Sequence, residues 1–404
     1  MKLLHVIASM DPKLGGVCQA VRTLIGGLAA QGVHNEVASL DAPAAGWAQA
    51  DAFPLHALGP GRSAWSYSAK LTPWLLANLT RFDAVVLHGL WLYQGYALHR
   101  AVRHCRAQLR KAGTSPDLAP RLFVMPHGML DPYFQRATGR KLKAWRNWAY
   151  WKLLEKRVVN EAAGLLFTCE TERQLARQPF APYHPQREEV VGLGVAAAPP
   201  CTPAMRAAFL ATCPGLPKRP YLLFLSRIHE KKGVELLLQA YARLALAAAS
   251  PATLPEVPAL VIAGPGLETP YGQRMQRLAN ELPAAAAVYF PGMLTGEAKW
   301  GAFYGCEAFV LPSHQENFGI AVVEALACSK PVLISNQVNI WREIATAHGG
   351  LVADDTLAGT TELLQRWAQL PAPEKKLVAM RAQVLYQQRF SIEQTARHMQ
   401  AVVS

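Results

Sequence analysis

Ala308-Phe309-Val310-Leu311-Pro312-Ser313-His314-Gln315-Glu316-Asn317-Phe318-Gly319-Ile320-Ala321-Val322-Val323-Glu324-Ala325-Leu326-Ala327 reads as a strand, a polar loop and a helix in immediate succession. Ala308 to Leu311 is a short apolar run of the kind buried within a parallel sheet. Glu324, Ala325, Leu326 and Ala327 are strong helix formers. The spacing places the helix start near Phe318-Gly319, where a glycine lets backbone approach a ligand closely. A helix that begins at the carboxyl end of a parallel strand presents unpaired N–H groups and a positive dipole end, a setting for phosphate. Glu316 lies in the loop, and Glu324 lies one turn into the helix on the face of Ile320. Two carboxylates flanking an anion site suit hydroxyl groups, and a nucleotide sugar carries both kinds of group.

The same alternation extends along the chain. Strand-like runs at Leu3 to Ala8, Val37 to Leu40, Ala84 to Leu87, Leu122 to Met125, Leu165 to Thr168 and Val190 to Val195 are separated by helical patterns such as Val17 to Ala30. A second series follows at Tyr221 to Leu225, Ala259 to Ile262, Ala287 to Phe290, Ala308 to Leu311 and Val332 to Ile334. Strands that alternate with helices predict doubly wound parallel sheets, an α/β protein. The Pro-rich stretch Ala196 to Pro203 fits an interdomain linker. A second one, Pro251 to Pro258, reads as a surface loop.

The 404 residues leave room for two or three domains, and no apolar run reaches the length of a membrane helix. Met1 to Ile7 reads as a first strand rather than a secretory leader. Seven scattered cysteines without a Cys-x-x-Cys pair indicate reduced thiols in a cytoplasmic setting and argue against a zinc site. The net charge of +13 is concentrated. Between Arg100 and Arg157, fourteen Lys or Arg stand against Asp117, Asp131 and Glu155, a net +11. That density calls for an acidic partner, such as anionic lipid or a pyrophosphate-linked acceptor; nucleic acid would also fit the charge, but no recognition motif for it is present.

Four further stretches bear chemistry. Ser9 to Gly16 follows the first strand, and Gly15 and Gly16 allow close approach or simply a tight turn. In Pro126-His127-Gly128-Met129-Leu130, the histidine sits at the carboxyl end of a strand, where ligands bind in such sheets. His88 and His99 have no comparable context and read as structural. In Ser226 to Gly233, Arg227 and Lys232 are spaced to converge on one diphosphate. Arg140 to Lys152 mixes cations with aromatics. Leu142, Trp145, Ala149, Leu153 and Lys156 fall at helical spacing, as on a helix at a membrane surface or on one packed against a core.

Glu-x7-Glu with Glu316-Asn317-Phe318-Gly319 inside it resembles the signature of the retaining family-4 glycosyltransferases. The Arg227…Lys232-Gly233 element, Pro126 to Leu130 and the Ala263-Gly264-Pro265-Gly266 turn are similar to that family's segments in the same order. The resemblance implies the GT-B fold: two Rossmann-like doubly wound domains facing across a cleft, with the last helix crossing back to the first domain. The corresponding boundaries are 1–198 for an acceptor domain, 199–385 for a nucleotide-sugar domain and 386–404 for the returning helix.

It implies roles as well. Arg227, Lys232 and the backbone at Asn317, Phe318, Gly319 and Ile320 would hold the departing diphosphate, while Glu324 takes the ribose and Glu316 the sugar hydroxyls. His127 would support the sugar beside the reacting carbon. Gly15 and Gly16 would lie between donor and acceptor, and Gly264 near the base. Metal-independent transfer is implied, with no cofactor and a UDP- or GDP-sugar as substrate. A glycan or lipid-pyrophosphate-linked acceptor in surface polysaccharide assembly fits the basic segment. Arg140, Lys141, Lys143, Trp145 and Trp148 are its candidates for contact with membrane or acceptor, at the inner membrane face. An epimerase or phosphorylase of the same fold, or a non-catalytic assembly subunit, are the alternatives. Asn336 to Ile344 departs from the family's Gly-Gly-x-x-Glu form.

Overall fold

A computed structural model describes all residues except 15, 45, 50, 137–140, 217–218, 249–256 and 284–285. Contacts divide the chain into two units, one of Met1–Gly194 with Ile392–Ser404 and one of Val195–Ser391. Each is built on a single parallel sheet. In the first unit the strands are β1 (Lys2–Ile7), β2 (His34–Ser39), β3 (Leu55–Ala57), β4 (Ala84–His88), β5 (Arg121–Met125), β6 (Gly164–Phe167) and β7 (Glu188–Val190). They lie side by side in the order β3-β2-β1-β4-β5-β6-β7. The central strands are buried throughout, as a sheet covered by helices on both faces requires.

The second unit contains β8 (Tyr221–Leu225), β9 (Ala259–Ala263), β10 (Val288–Gly292), β11 (Ala308–Leu311), β12 (Val332–Ser335) and β13 (Gly350–Ala353). Their order is β10-β9-β8-β11-β12-β13. In both units the winding reverses once, between β1 and β4 and between β8 and β11. Ligands of open parallel sheets collect outside the carboxyl ends of the strands at such a reversal.

The apolar runs locate most strands, with three differences. β3 and β13 are short edge strands that the sequence did not single out. Of the apolar run Val190 to Val195, only Val190 belongs to a strand of the sheet, β7 (Glu188–Val190), while Val195 forms an isolated bridge with Ser391. Beyond it, Gly192 adopts a left-handed φ of 86° and the ladder stops.

The final helix, Ile392–Val403, packs on the helix Gly16–Ala29 of the first unit. Gly27 makes that approach possible, since a Cβ there would stand 2.6 Å from Ile392 Cγ1. All seven cysteines are free thiols. Among the described residues no helix is long and apolar enough to cross a membrane.

Candidate functional site

In the second unit, the loops after β8 and β11 flank the reversal of winding. The first carries Arg227 and Lys232, the second Glu316 to Gly319. They are tied together by backbone: His314 N donates to Lys231 O at 2.8 Å, and so does Ser313 Oγ. Gly233, with φ 68°, permits this, because a Cβ would lie 1.9 Å from Pro312 O. Lys232 is buried, and its Nζ donates to Glu316 Oε2. Arg227 is exposed. The Glu316 backbone is pinned on its other side by Gln337 O at 3.0 Å and Asn339 N at 2.9 Å. His314 contacts Asp355 Oδ2 at 2.9 Å, and that carboxylate holds its imidazole above the ordinary range. Asp355 therefore braces the signature loop.

The helix predicted near Phe318-Gly319 runs over Ile320–Ala327, with Gly319 as its N-cap at φ 81°. Phe318 is buried edge-on against Phe390, which anchors the loop while its backbone stays at the sheet's rim. Asn317 Oδ1 accepts from Asn339 Nδ2 at 3.4 Å. Glu324 follows one turn after Ile320, and Lys299 Nζ sits 2.7 Å from its Oε1. Lys299 belongs to the helix Gly296–Gly305, and its cation also lies 4.4 Å from the Trp300 ring. Gly264 closes the turn after β9 at φ 142°, where a Cβ would stand 1.8 Å from Ser226 O.

In the first unit, the loop after β1 is held by two side chains. Asp41 accepts from Ser9 Oγ at 2.5 Å and from Met10 N at 2.8 Å, and Arg22 donates to Met10 O at 2.7 Å. Gly16 opens the following helix and is exposed, whereas Gly15 lies outside the described residues.

His127 follows β5 in a left-handed conformation, φ 52°. Its Nε2 is 3.0 Å from Nδ1 of His88, whose Nε2 is 2.9 Å from His5 Nδ1. Burial pushes His5 and His127 down to about 4, although an edge of His127 reaches the surface, and pushes His88 well below the usual imidazole range. His88 thus contacts His127 on one side and His5 on the other. His99 instead contacts Glu161 at 2.9 Å, away from this row. The turn after His127 is gripped by buried Glu172, which accepts from Gly128 N at 2.5 Å and Thr168 N at 2.7 Å.

Residues 15–194 match the family described as a glycosyl transferase 4-like domain, and residues 214–379 match glycosyl transferases group 1. Together these models match most of the chain, which belongs to the family-4-like glycosyltransferases. A D-inositol 3-phosphate glycosyltransferase of Mycolicibacterium gilvum is 33% identical over 202 residues, 49% of this chain. The chain spans only 40% of that relative's length. Anabaena HepE, solved with UDP and glucose, superposes with a TM-score of 0.69 at 16% identity, covering 99% of this chain and 98% of that one. WaaG, a glycosyltransferase involved in lipopolysaccharide biosynthesis, does so at 0.62 and 18%, covering 99% and 98%.

In this glycosyltransferase-family chain the basic segment is helical from Lys141 to Asn160, interrupted by a π-helical turn at Trp151–Glu155. That turn breaks the single helical period and brings Trp151 and Glu155 inward, where both are fully buried. Leu142, Trp145, Trp148 and Leu153 are 87%, 70%, 52% and 71% exposed, so they form no part of the core. Lys143 and Arg146 are exposed beside them. Arg140 and the Lys141 side chain lie outside the described residues.

Sequence reasoning missed Lys299, His5, Glu172 and Glu155. Each is separated from its partner by tens of residues or lies in a helix with an ordinary pattern, so only the alternation at His5 could have drawn notice.

Proposed function

We propose that this chain transfers a sugar from a nucleotide-diphosphate sugar with retention of anomeric configuration and without a bound metal. The observation that carries the reading is the meeting of buried Lys232 with Glu316 beside the Gly319 helix start, at the sheet's reversal of winding. Cations and helix N–H groups there can neutralise charge as it develops on a departing diphosphate. Arg227 would close over the same group from solvent. Glu324, one helical turn on, would take the ribose hydroxyls and Glu316 those of the sugar. His127 would contact the sugar beside the reacting carbon.

UDP bound to HepE supports a nucleoside-diphosphate donor. The test is thermal shift against UDP-, GDP- and ADP-sugars, followed by NMR of the product anomer. Inversion at the anomeric carbon, or stabilisation by none of these donors, would overturn the reading.

The acceptor we propose is phosphate-bearing. The exposed Trp and Leu side chains among the cations of the Lys141–Asn160 segment favour a lipid-pyrophosphate-linked one at an anionic membrane face, as in surface polysaccharide assembly. The free thiols suit a reducing cytoplasmic compartment. The relative's D-inositol 3-phosphate acceptor favours a soluble phosphorylated polyol instead, and acceptor assays with each class separate the two.

A further inference from the structure

His127 stands at the end of a row that crosses four neighbouring strands: Asn35 on β2, His5 on β1, His88 on β4, then His127 after β5. The registers explain the alignment. Leu3 pairs with Asn35 and His5 lies two residues on; His5 pairs with Val86 and His88 lies two on; His88 pairs with Met125 and His127 lies two on. A step of two keeps every side chain on one face of the sheet, so the row climbs towards the carboxyl edge. The rings stack with centroids 5.2 and 5.3 Å apart.

One amide sets the polarity of the whole row. Asn35 Nδ2 donates to Val33 O at 2.8 Å, so its Oδ1 faces His5 Nε2 at 3.1 Å. Turning the amide over would set Oδ1 against the Val33 carbonyl at that same short distance, two acceptors with no proton between them. His5 Nε2 is therefore the donor. A neutral imidazole carries one N–H, which makes His5 Nδ1 an acceptor and His88 Nε2 its donor. By the same step, His88 Nδ1 accepts from His127 Nε2. His127 Nδ1 is left with its lone pair and no protein partner among the described residues.

We propose that Asn35, His5 and His88 are positioning residues that lock His127 as its Nε2–H tautomer, leaving Nδ1 to accept a hydrogen bond from a hydroxyl of the transferred sugar. This rests on the reading of His127 as a donor-sugar contact. The lock has a chemical purpose. A sugar that gains positive charge at its anomeric carbon is better served by a neutral acceptor than by an imidazolium or an N–H aimed at it. Burial of all three rings keeps the row uncharged.

The experiment uses the full chain with ring-15N histidine, His127 being assigned by its loss in His127→Gln. The wild type should show His127 protonated at Nε2 alone. His88→Phe should release both tautomers and lower turnover about tenfold, with UDP or GDP affinity within about twofold. Asn35→Leu should do the same. A wild-type His127 protonated on Nδ1, or a tautomer unmoved in both His88→Phe and Asn35→Leu, would overturn the lock, and the wild-type spectrum decides even if a variant fails to fold. If the tautomer is as expected but His127→Ala transfers sugar at the wild-type rate, the sugar contact is what fails.

Discussion

Lys232 and Glu316, which the sequence suggested as separate holders of diphosphate and sugar, are ion-paired to each other across 84 positions of chain. The lysine is thereby fixed at the rim of the sheet, and the carboxylate is compensated while partly buried. Removing either one leaves the other charge without its partner.

Lys232→Ala is expected to lower turnover by on the order of a hundredfold, and nucleoside diphosphate affinity far less, because a lysine serving the leaving group acts mainly in the transition state. Glu316→Gln should impair transfer while nucleoside diphosphate binding stays nearly intact. In the double variant the losses should fall short of additive, since both single changes break one pair. Steady-state kinetics with calorimetric binding checks this; Lys232→Ala turnover within threefold of wild type would remove the lysine from the mechanism.

Glu324 behaves differently. Lys299 donates to Oε1 at 2.7 Å and so orients the carboxylate, and the other oxygen is the one we propose for ribose. Glu324→Gln should weaken UDP or GDP binding about tenfold, and Lys299→Met about threefold, through loss of a charge-assisted acceptor and of its orientation. Isothermal titration of each variant decides, and unchanged affinity in Glu324→Gln would contradict the ribose assignment.

Glu155 is fully buried in the first unit, and burial raises its carboxyl from 4.5 to about 8. The folded state therefore holds a proton that the unfolded chain releases above 4.5. The stability so conferred is fully present below pH 4.5 and is lost as pH rises through 8. Glu155→Gln, which cannot ionise, should gain on wild type as pH increases, by on the order of 3 kcal/mol between pH 5.5 and pH 9. Thermal unfolding at pH 5.5 and 9 measures it; an equal effect at both would mean that Glu155 does not titrate as buried.

The basic segment should hold the protein on anionic liposomes more than on neutral ones, and more at low salt than at high salt. Reversing Lys141, Lys143 and Arg146 to Glu should abolish the difference and leave UDP or GDP binding unchanged. Sedimentation with vesicles tests both halves. Indifference of the wild type to anionic lipid would favour a soluble phosphorylated acceptor.

The sequence by itself determined what is local. Apolar runs separated by helical patterns placed eleven strands near their positions, and strand-loop-helix order put Glu316, Gly319 and Glu324 where they stand. Each of these follows from neighbours along the chain: a buried strand needs a short apolar run, and a helix start needs glycine and helix formers beside it. The short edges β3 and β13 escaped because an edge strand of three or four residues carries little apolar signal.

Only the tertiary structure decided which distant side chains meet. Strand order set Asn35, His5, His88 and His127 in one row, a fact invisible without the registers. It also closed Lys232 on Glu316 and Lys299 on Glu324. A π-helical turn, which no simple periodicity announces, sent Trp151 and Glu155 inward and left Trp145 and Trp148 outside. The physical reason is one of range: periodicity acts over a few residues, whereas a polar contact needs two strands or helices whose neighbourhood is fixed by the packing of the whole sheet.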